Sequence, residues 1–264
     1  MFLRSSTKAI HMVDAIPILT FHAIDNRPSV ISFPPRLFQR AMAHLCDAGY
    51  RAVSLPELND CLRRRGPFPQ RTFAITFDDG YHSVYRYAFP VLQRYGFPAT
   101  VFLTVGQNSK KVESERLSGM SDRSMLSWGE IKEMHRWGMA FGAHTLTHPN
   151  LTRLRCERVE AEVVGGKAVI EDALGAEVIS FAYPFGCYDK QCREIVSRHF
   201  ICAFSDKLGL VGANSDPYAI ERVDSYYLRS ERLFTAMGTT FFPIYIRARA
   251  VARQLRRSMY MRSR

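Results

Sequence analysis

Short apolar runs rich in β-branched and aromatic residues alternate along this chain with longer segments of helical periodicity. The short runs are typical of buried strands, and in chain order they read AIPILTFHAI, RAVSL, TFAITF, ATVFLTV, MAFGA, EVISFAY and FICAFS. Segments with apolar positions at helical spacing lie between them, at residues 37–48, 58–65, 84–95, 131–137, 159–174 and 192–199. Strands that alternate with helices predict βα units and a parallel sheet.

The number of units predicts how this sheet is arranged. About seven βα units in ~230 residues fit a closed barrel better than a small open sheet, so we predict an α/β fold of the distorted (β/α)7 barrel type. No internal repeat or linker divides the chain, which indicates a single barrel domain at residues 15–243, with a leader at residues 1–14 and a tail at residues 244–264. In such barrels the chemistry lies in loops at the C-terminal ends of the strands.

Two adjacent carboxylates end the predicted strand TFAITF. Asp78 and Asp79 precede Gly80, whose lack of a side chain allows a tight turn. Acids in such a place are commonly turn residues, one of which caps the following helix. The alternative is a role in chemistry at the mouth of the barrel, and this stretch alone leaves both interpretations open.

Two histidines follow the predicted strand MAFGA, at His144 and His148 in the segment HTLTH. Residues four apart on a helical turn face the same side, so the two imidazoles fit a single metal ion. An isolated H-x-x-x-H pattern is more often a pair of surface or capping histidines. A carboxylate at another strand end favours the metal site over surface or capping histidines, because two histidines and one acid form a metal site with positions left open for water and substrate.

A third loop follows the predicted strand EVISFAY. In AYPFG, Pro184 and Gly186 constrain a backbone whose N–H groups are suited to stabilise an oxyanion, although by itself the segment is an ordinary Pro-Gly turn. Together the three segments resemble the polysaccharide deacetylase family, also called the NodB-homology domain or carbohydrate esterase family four. TFDDG resembles its first motif, HTLTH its second and AYPFG its third, and the resemblance covers most of residues 15–230.

The resemblance implies a role for each matching residue. The implied ligands of a divalent metal ion, Zn²⁺ by preference with Co²⁺, Ni²⁺ and Fe²⁺ as alternatives, are Asp79, His144 and His148. Asp78 is implied to be the general base that takes a proton from the attacking water. Pro184 and the backbone N–H of Phe185 belong to the loop that holds the oxyanion. The implied reaction hydrolyses N-acetyl groups of an N-acetylhexosamine-containing polysaccharide or its precursor and releases acetate.

Two positions depart from the family pattern. The third motif begins in the family with an arginine that orients the base, but Ala182 stands there, and no histidine of a late L-x-H motif follows His199. His22 ends the first predicted strand, and the first and last strands of a closed barrel are neighbours, so we predict that His22 is the general acid. Both departures resemble a circularly permuted branch of the family that includes poly-N-acetylglucosamine deacetylases. The alternative for His22 is a structural histidine at a strand end.

The same predicted fold is also compatible with two alternative functions. One is a deacetylase of an O-acetylated or lipid-linked sugar. The other is an inactive barrel that binds glycan, for which the altered third motif and the missing late histidine would be signs of decay. The intact pair of acids and pair of histidines argue against the inactive barrel, because a binding module has no need of both a base and a full set of metal ligands.

The positive charge is concentrated in the tail. The chain has 36 lysines and arginines against 25 acids, and seven of the arginines lie in the last eighteen residues, which contain no acid. The following apolar residues recur there at helical spacing and predict a basic amphipathic helix: Ile244, Ala248, Val251, Leu255 and Met259. This helix either docks on the barrel with a solvated arginine face or binds an anionic membrane surface. Binding of nucleic acid is not expected, because no recognition module accompanies the charge.

The first residues lack the apolar core of a secretion signal, and no segment has the about 20 consecutive apolar residues of a membrane span. We therefore expect a cytoplasmic protein, which is peripheral at the inner membrane if the tail binds lipid. Export stays open if the true start codon lies further upstream.

Overall fold

Seven parallel strands form a closed barrel. The computed structural model describes residues 12–106 and 123–262, so most of the predicted leader lies outside the described part. The ring strands are β1 Ile18–Phe21, β2 Thr72–Phe77, β3 Thr100–Leu103, β4 Ala140–Ala143, β5 Ser180–Ala182, β6 Cys202–Leu208 and β7 Ile220–Asp224. The ring closes where Leu19 of β1 pairs with Val223 on one side and with Ile75 on the other. The predicted (β/α)7 barrel is thereby confirmed.

One barrel strand has no counterpart among the predicted apolar runs. RAVSL forms only the two-residue strand Arg51–Ala52, which pairs with the start of β2 outside the ring. The seventh ring strand is β7 instead, and it contains Arg222, of which 5% is exposed. A buried arginine in the middle of a strand interrupts the apolar run, so the segment lacks the pattern by which a buried strand is recognised.

Helices cover the outside of the barrel. Their bounds are α1 Pro35–Asp47, α2 Leu55–Arg64, α3 Phe89–Tyr95, α4 Trp128–Trp137, α5 Cys156–Leu174, α6 Lys190–His199, α7 Glu231–Thr235 and α8 Phe241–Arg262. A π-helical turn, Val84–Ala88, leads into α3. The start of α4 is a full capping box, in which Ser127 and Glu130 each accept a hydrogen bond from the other's backbone N–H. Among the described residues, we find no helix that is both long and apolar enough to cross a membrane.

Short two-residue strands tie the loops at the two ends of the barrel. Near the N-terminal ends of the ring strands, Met12–Val13 pairs with Phe68–Pro69, and Ala15–Ile16 pairs with Val211–Gly212. After β1, Ala23–Ile24 pairs with Ser32–Phe33. The mouth of the barrel is formed by the loops at the C-terminal ends of the ring strands, which include this last pair.

The interior of the barrel has an aromatic floor. Phe102 and Phe204 are fully buried with their ring centroids 5.3 Å apart. Gly142 makes room for them, because a Cβ at that position would lie 2.5 Å from the Phe102 ring. The guanidinium of Arg222 lies 5.9 Å from both ring centroids. The polar part of the interior therefore begins directly on an apolar layer that excludes water.

The C-terminal helix α8 packs on the barrel with an unexpected face. Phe242 and Ile246 are buried, and the hydroxyl of Tyr245 donates a hydrogen bond to the backbone carbonyl of Tyr227 at 2.8 Å. The apolar positions of the predicted amphipathic stripe are instead exposed at Ile244, Ala248, Val251 and Leu255, and the Met259 side chain lies outside the described part. A docked helix was one of the two predicted alternatives, and Arg247, Arg249 and Arg256 are exposed as that alternative expected. The expectation that the apolar stripe would face the barrel is wrong, because the stripe is exposed as well.

Candidate metal centre at the barrel mouth

The loops after four ring strands meet around one cleft of about 440 Å³. Asp78 and Asp79 follow β2, His144 follows β4, Phe185 lies in the loop after β5, and His22 follows β1. All of these residues line the cleft. The closed barrel thus brings together side chains that are far apart along the chain.

Three of the predicted residues form a compact cluster of metal-binding atoms. The Oδ1 atom of Asp79 lies 3.5 Å from the Nε2 atoms of both His144 and His148, and the two Nε2 atoms are 3.0 Å apart. Each of the three residues is at most 6% exposed. Two imidazole nitrogens and one carboxylate oxygen are a donor set that Zn²⁺ and other first-row divalent ions accept.

A hydrogen bond of His144 shows which of its ring nitrogens is available to bind a cation. Its Nδ1 atom lies 2.7 Å from the backbone carbonyl oxygen of Ala182. A carbonyl can only accept, so Nδ1 carries the proton and the lone pair of Nε2 points at the cluster. This tautomer is the one that a metal ligand requires. The donor set therefore fits a divalent ion, held by one carboxylate oxygen and two imidazoles.

The backbone of the mouth is strained where it presents these residues. Of the six non-glycine residues with positive φ in the described part of the chain, four lie here: Asp79, Thr145, His148 and Phe185. Left-handed conformations of such residues cost about 1–3 kcal/mol each and persist where the surroundings fix them. The prediction that His144 and His148 share a helical turn is wrong in this respect, because residues 144–148 form an irregular tight loop. Here the hydroxyl of Thr145 accepts a hydrogen bond from the backbone N–H of His148.

Helix α5 supports the histidine loop from behind. The buried carboxylate of Glu162 accepts hydrogen bonds from the backbone N–H and the hydroxyl of Thr147, at 2.8 and 2.7 Å. Gly166 allows close packing, because a Cβ there would lie 2.9 Å from the carbonyl carbon of Thr145. Sequence reasoning missed Glu162. The sequence feature that could have indicated its role is its place in the predicted helix, three residues before the adjacent glycines Gly165 and Gly166.

Asp78 is bound by an arginine, Arg222, that the sequence analysis did not identify. Arg222 donates two hydrogen bonds of 2.7 Å to the two carboxylate oxygens of Asp78, and a third, from Nε, to the backbone carbonyl of Ser205. Burial alone would raise the pKa of Asp78, but the guanidinium of Arg222 outweighs it and holds the pKa below its usual value. Ala182 stands where the resemblance to the family implies an arginine, and the guanidinium that contacts Asp78 comes from Arg222 of β7.

His22 also lies close to the Asp78 carboxylate. Its Nε2 atom is 3.9 Å from Oδ2 of Asp78, and 22% of its side chain is exposed. The Nδ1 atom is buried and has no hydrogen-bond partner among the described residues. The expected neighbourhood of first and last strands is observed, since Thr20 of β1 pairs with Asp224 of β7. His22 therefore reaches the cleft with one ring nitrogen.

The loop after β5 forms the rim of the cleft. The Phe185 ring is 49% exposed and its centroid lies 4.6 Å from that of His148, while Pro184 is buried. Gly186 is required at the next position, because a Cβ there would lie 2.2 Å from the Cβ of Asp206. Asp206 in turn pairs with Arg253 of α8 at 2.6 Å. The C-terminal helix therefore contributes to the cleft wall.

Comparison with known proteins defines the class. Residues 65–201, which make up about half of the chain, match the sequence profile of the family described as "Polysaccharide deacetylase". The chain therefore belongs to the polysaccharide deacetylase family, and the prediction made from its three motifs is confirmed. Members of this family are hydrolases, and its carbohydrate esterase branch depends on a metal ion.

Two relatives in sequence and one solved structure are similar to this chain. YxkH of Bacillus subtilis (strain 168) is 27% identical over 233 residues, which cover 88% of this chain and 76% of that protein. The poly-beta-1,6-N-acetyl-D-glucosamine N-deacetylase of Staphylococcus aureus (strain MRSA252) is 28% identical over 171 residues, but the matched region spans only 57% of its length. The structure of IcaB from Ammonifex degensii superposes with a TM-score of 0.70 at 27% identity, over 86% of this chain and 99% of that chain.

Proposed function

We propose that this protein is a metal-dependent deacetylase that hydrolyses N-acetyl groups of an N-acetylhexosamine-containing polysaccharide or its precursor. One observation carries the proposal: a cluster of three metal-binding side chains and a separate carboxylate, bound by an arginine through two hydrogen bonds, face the same cleft. The staphylococcal relative, whose name states N-deacetylation of such a polymer, supports the choice of substrate class.

The three buried donors hold the divalent ion in this proposal. Asp79, His144 and His148 supply one oxygen and two nitrogens, and Zn²⁺ is the first choice because this donor set is common in catalytic zinc sites. When bound, a divalent ion polarises the acetyl carbonyl and lowers the pKa of water. Co²⁺, Ni²⁺ and Fe²⁺ accept the same ligands, so metal identity is settled by reconstitution.

Asp78 takes the proton of the attacking water. The two hydrogen bonds from Arg222 fix the plane of its carboxylate and favour its ionised form. A base must be ionised before the reaction and within reach of the proton that it removes. The two adjacent acids therefore have different roles. Asp79 lies beside the two histidines and binds the metal ion, whereas Asp78 is bound by Arg222 and acts as the base.

His22 gives a proton to the departing amine. Its Nε2 atom lies 3.9 Å from Asp78, and its side chain lines the same cleft as the metal-binding cluster, so it is placed to reach a substrate bound there. The rim loop with Pro184 and the backbone N–H of Phe185 stabilises negative charge on the former carbonyl oxygen. Together these groups account for water activation, charge stabilisation and protonation of the leaving group, which amide hydrolysis requires.

Acetate release from a panel of acetylated oligosaccharides tests the proposal. The panel contains N-acetylated β-linked glucosamine oligomers and O-acetylated sugars, and each is incubated with enzyme reconstituted with Zn²⁺, Co²⁺, Ni²⁺ or Fe²⁺. The matched control is Asp78→Asn, which keeps the shape of the side chain and should bind metal without turnover. Release from O-acetylated sugars alone would replace the proposal by the esterase alternative. Metal binding without release from any substrate would contradict it.

A further inference from the structure

The outward side of the C-terminal helix is an apolar stripe. We call the residues Phe241, Ile244, Ala248, Val251 and Leu255 the outer face of α8. Their spacing of three and four residues places them on one side of the helix. The large members are strongly exposed, with Ile244 at 66% and Leu255 at 60%. Contiguous exposed apolar side chains of this kind mark an interaction surface.

The opposite side of the same helix holds it to the barrel. Phe242 and Ile246 are buried there, and Arg253 pairs with Asp206. These positions lie on average about half a turn around the helix from the outer face, at 100° per residue. The helix is therefore fixed in orientation, and the outer face does not become exposed by fraying.

Charge selects the kind of partner. The outer face is bordered on its two sides by the exposed residues Arg247 and Arg256, and the last eighteen residues hold seven arginines and no acid. A second copy of this helix would bring like charges together without acids to pair them, which is unfavourable. Nucleic acid would use the arginines but leave the apolar stripe in water. A surface with negative headgroups above an apolar layer satisfies both features.

We propose that the outer face of α8 docks on an anionic phospholipid membrane, with the helix lying in the plane of the interface. The apolar side chains enter the boundary between headgroups and acyl chains, and the flanking arginines contact lipid phosphates. Because Arg253 lines the cleft from the inner side of this helix, the cleft wall lies about one helix diameter, ~10 Å, from the membrane surface. This position brings the cleft to saccharides that are held close to a bilayer.

Vesicle flotation of the full-length protein tests the inference. The vesicles contain phosphatidylcholine alone or phosphatidylcholine mixed with phosphatidylglycerol. One variant carries Ile244→Gln, Val251→Gln and Leu255→Gln, since glutamine keeps helix propensity but removes apolar surface. A matched control carries Val169→Gln and Ile201→Gln, which change exposed apolar residues elsewhere on the barrel.

A second, independent variant tests the charge. It carries Arg247→Gln and Arg256→Gln, which remove two of the flanking arginines. Each basic residue near an anionic surface contributes about fivefold to partitioning, so their loss weakens binding by about 25-fold. The apolar triple variant should weaken it by about 100-fold. Circular dichroism establishes that each variant is folded.

Three results would overturn the proposal. The first is equal flotation with neutral and anionic vesicles. The second is binding to anionic vesicles that neither variant weakens more than the Val169 and Ile201 control does. The third is a dimer in the absence of lipid that the apolar triple variant dissociates, because the outer face would then be a contact between two copies. Binding to anionic vesicles that both variants weaken, with the control unchanged, supports it.

Discussion

Replacing Arg222 by glutamine should both destabilise the fold and disable the base. Arg222 and Asp78 are joined by two hydrogen bonds of 2.7 Å, and their side chains are only 5% and 6% exposed. Removal of one partner of a buried ion pair leaves the other charge uncompensated, at a cost of about 3–5 kcal/mol. We therefore expect Arg222→Gln to lose a few kcal/mol in the free energy of unfolding, measured by chemical denaturation.

The effect on catalysis follows from the pKa of Asp78. In the native protein the guanidinium outweighs burial and keeps this pKa below its usual value. Without it, burial favours the protonated acid and the pKa rises. The acidic limb of the profile of kcat/KM against pH should shift to higher pH, and kcat at pH 7 should fall by about 100-fold or more. Acetate release across a pH series measures both quantities.

A matched control separates this role from general damage. Arg193 also binds a carboxylate with two hydrogen bonds, to Asp216, but the two side chains are 41% and 42% exposed. Arg193→Gln should therefore lose at most about 1 kcal/mol of stability and leave the pH profile unchanged. If Arg222→Gln keeps the wild-type acidic limb and turnover, the argument that Arg222 holds the base ionised is refuted.

Three further predictions concern other parts of the site and fold. His22→Ala should lower kcat by about 100-fold or more with unchanged metal content by elemental analysis; near-normal turnover would refute its role as acid. Glu162→Ala should weaken metal affinity by about 10–100-fold in a chelator competition titration, because the histidine loop loses two hydrogen bonds to Thr147, whereas Glu162→Gln, which keeps an acceptor, should lose less; equal affinity in all three proteins would contradict this. Arg123→Gln removes the hydrogen-bonded partner of Asp25 and should cost about 2 kcal/mol at pH 7. Burial raises the pKa of Asp25, but Arg123 and other hydrogen bonds outweigh it and the net pKa is lowered. The stabilisation is therefore present above the unfolded-state pKa of about 3.9 and is lost as pH falls through the lower folded value. Urea denaturation at pH 7 and in acid should show the difference closing, and a constant difference would contradict the assignment.

The barrel and the three motif loops could be predicted from sequence because their signals are local. TFAITF and HTLTH are short segments in which a buried strand runs directly into polar residues. In a parallel barrel such strand ends share one face. The proximity of Asp79, His144 and His148 follows from that rule alone, whereas the tight loop between the histidines does not. It depends on the contact of the loop with Glu162 and Gly166 of α5, which lies behind it.

Arg222 could not be predicted because its signal is not local. It lies 144 positions after Asp78, in a strand whose buried charge hides it from an apolar pattern. The orientation of α8 was unpredictable for a related reason. The pattern shows that one face is apolar, but the shape of the barrel wall decides which face docks, and the wall accepts Phe242, Ile246 and Arg253.

The ion pair between Arg222 and Asp78 has a consequence for recognising such proteins. The resemblance to the family motif implies an arginine at position 182, at the end of β5, whereas in this chain the guanidinium beside Asp78 comes from Arg222 of β7. A barrel interior is surrounded by every strand, so the same chemical group can be supplied from several points of the chain. Searches that score a linear motif would count Ala182 as a lost residue and the protein as degenerate. Comparison of the groups around the carboxylate in three dimensions would class it with the complete sites.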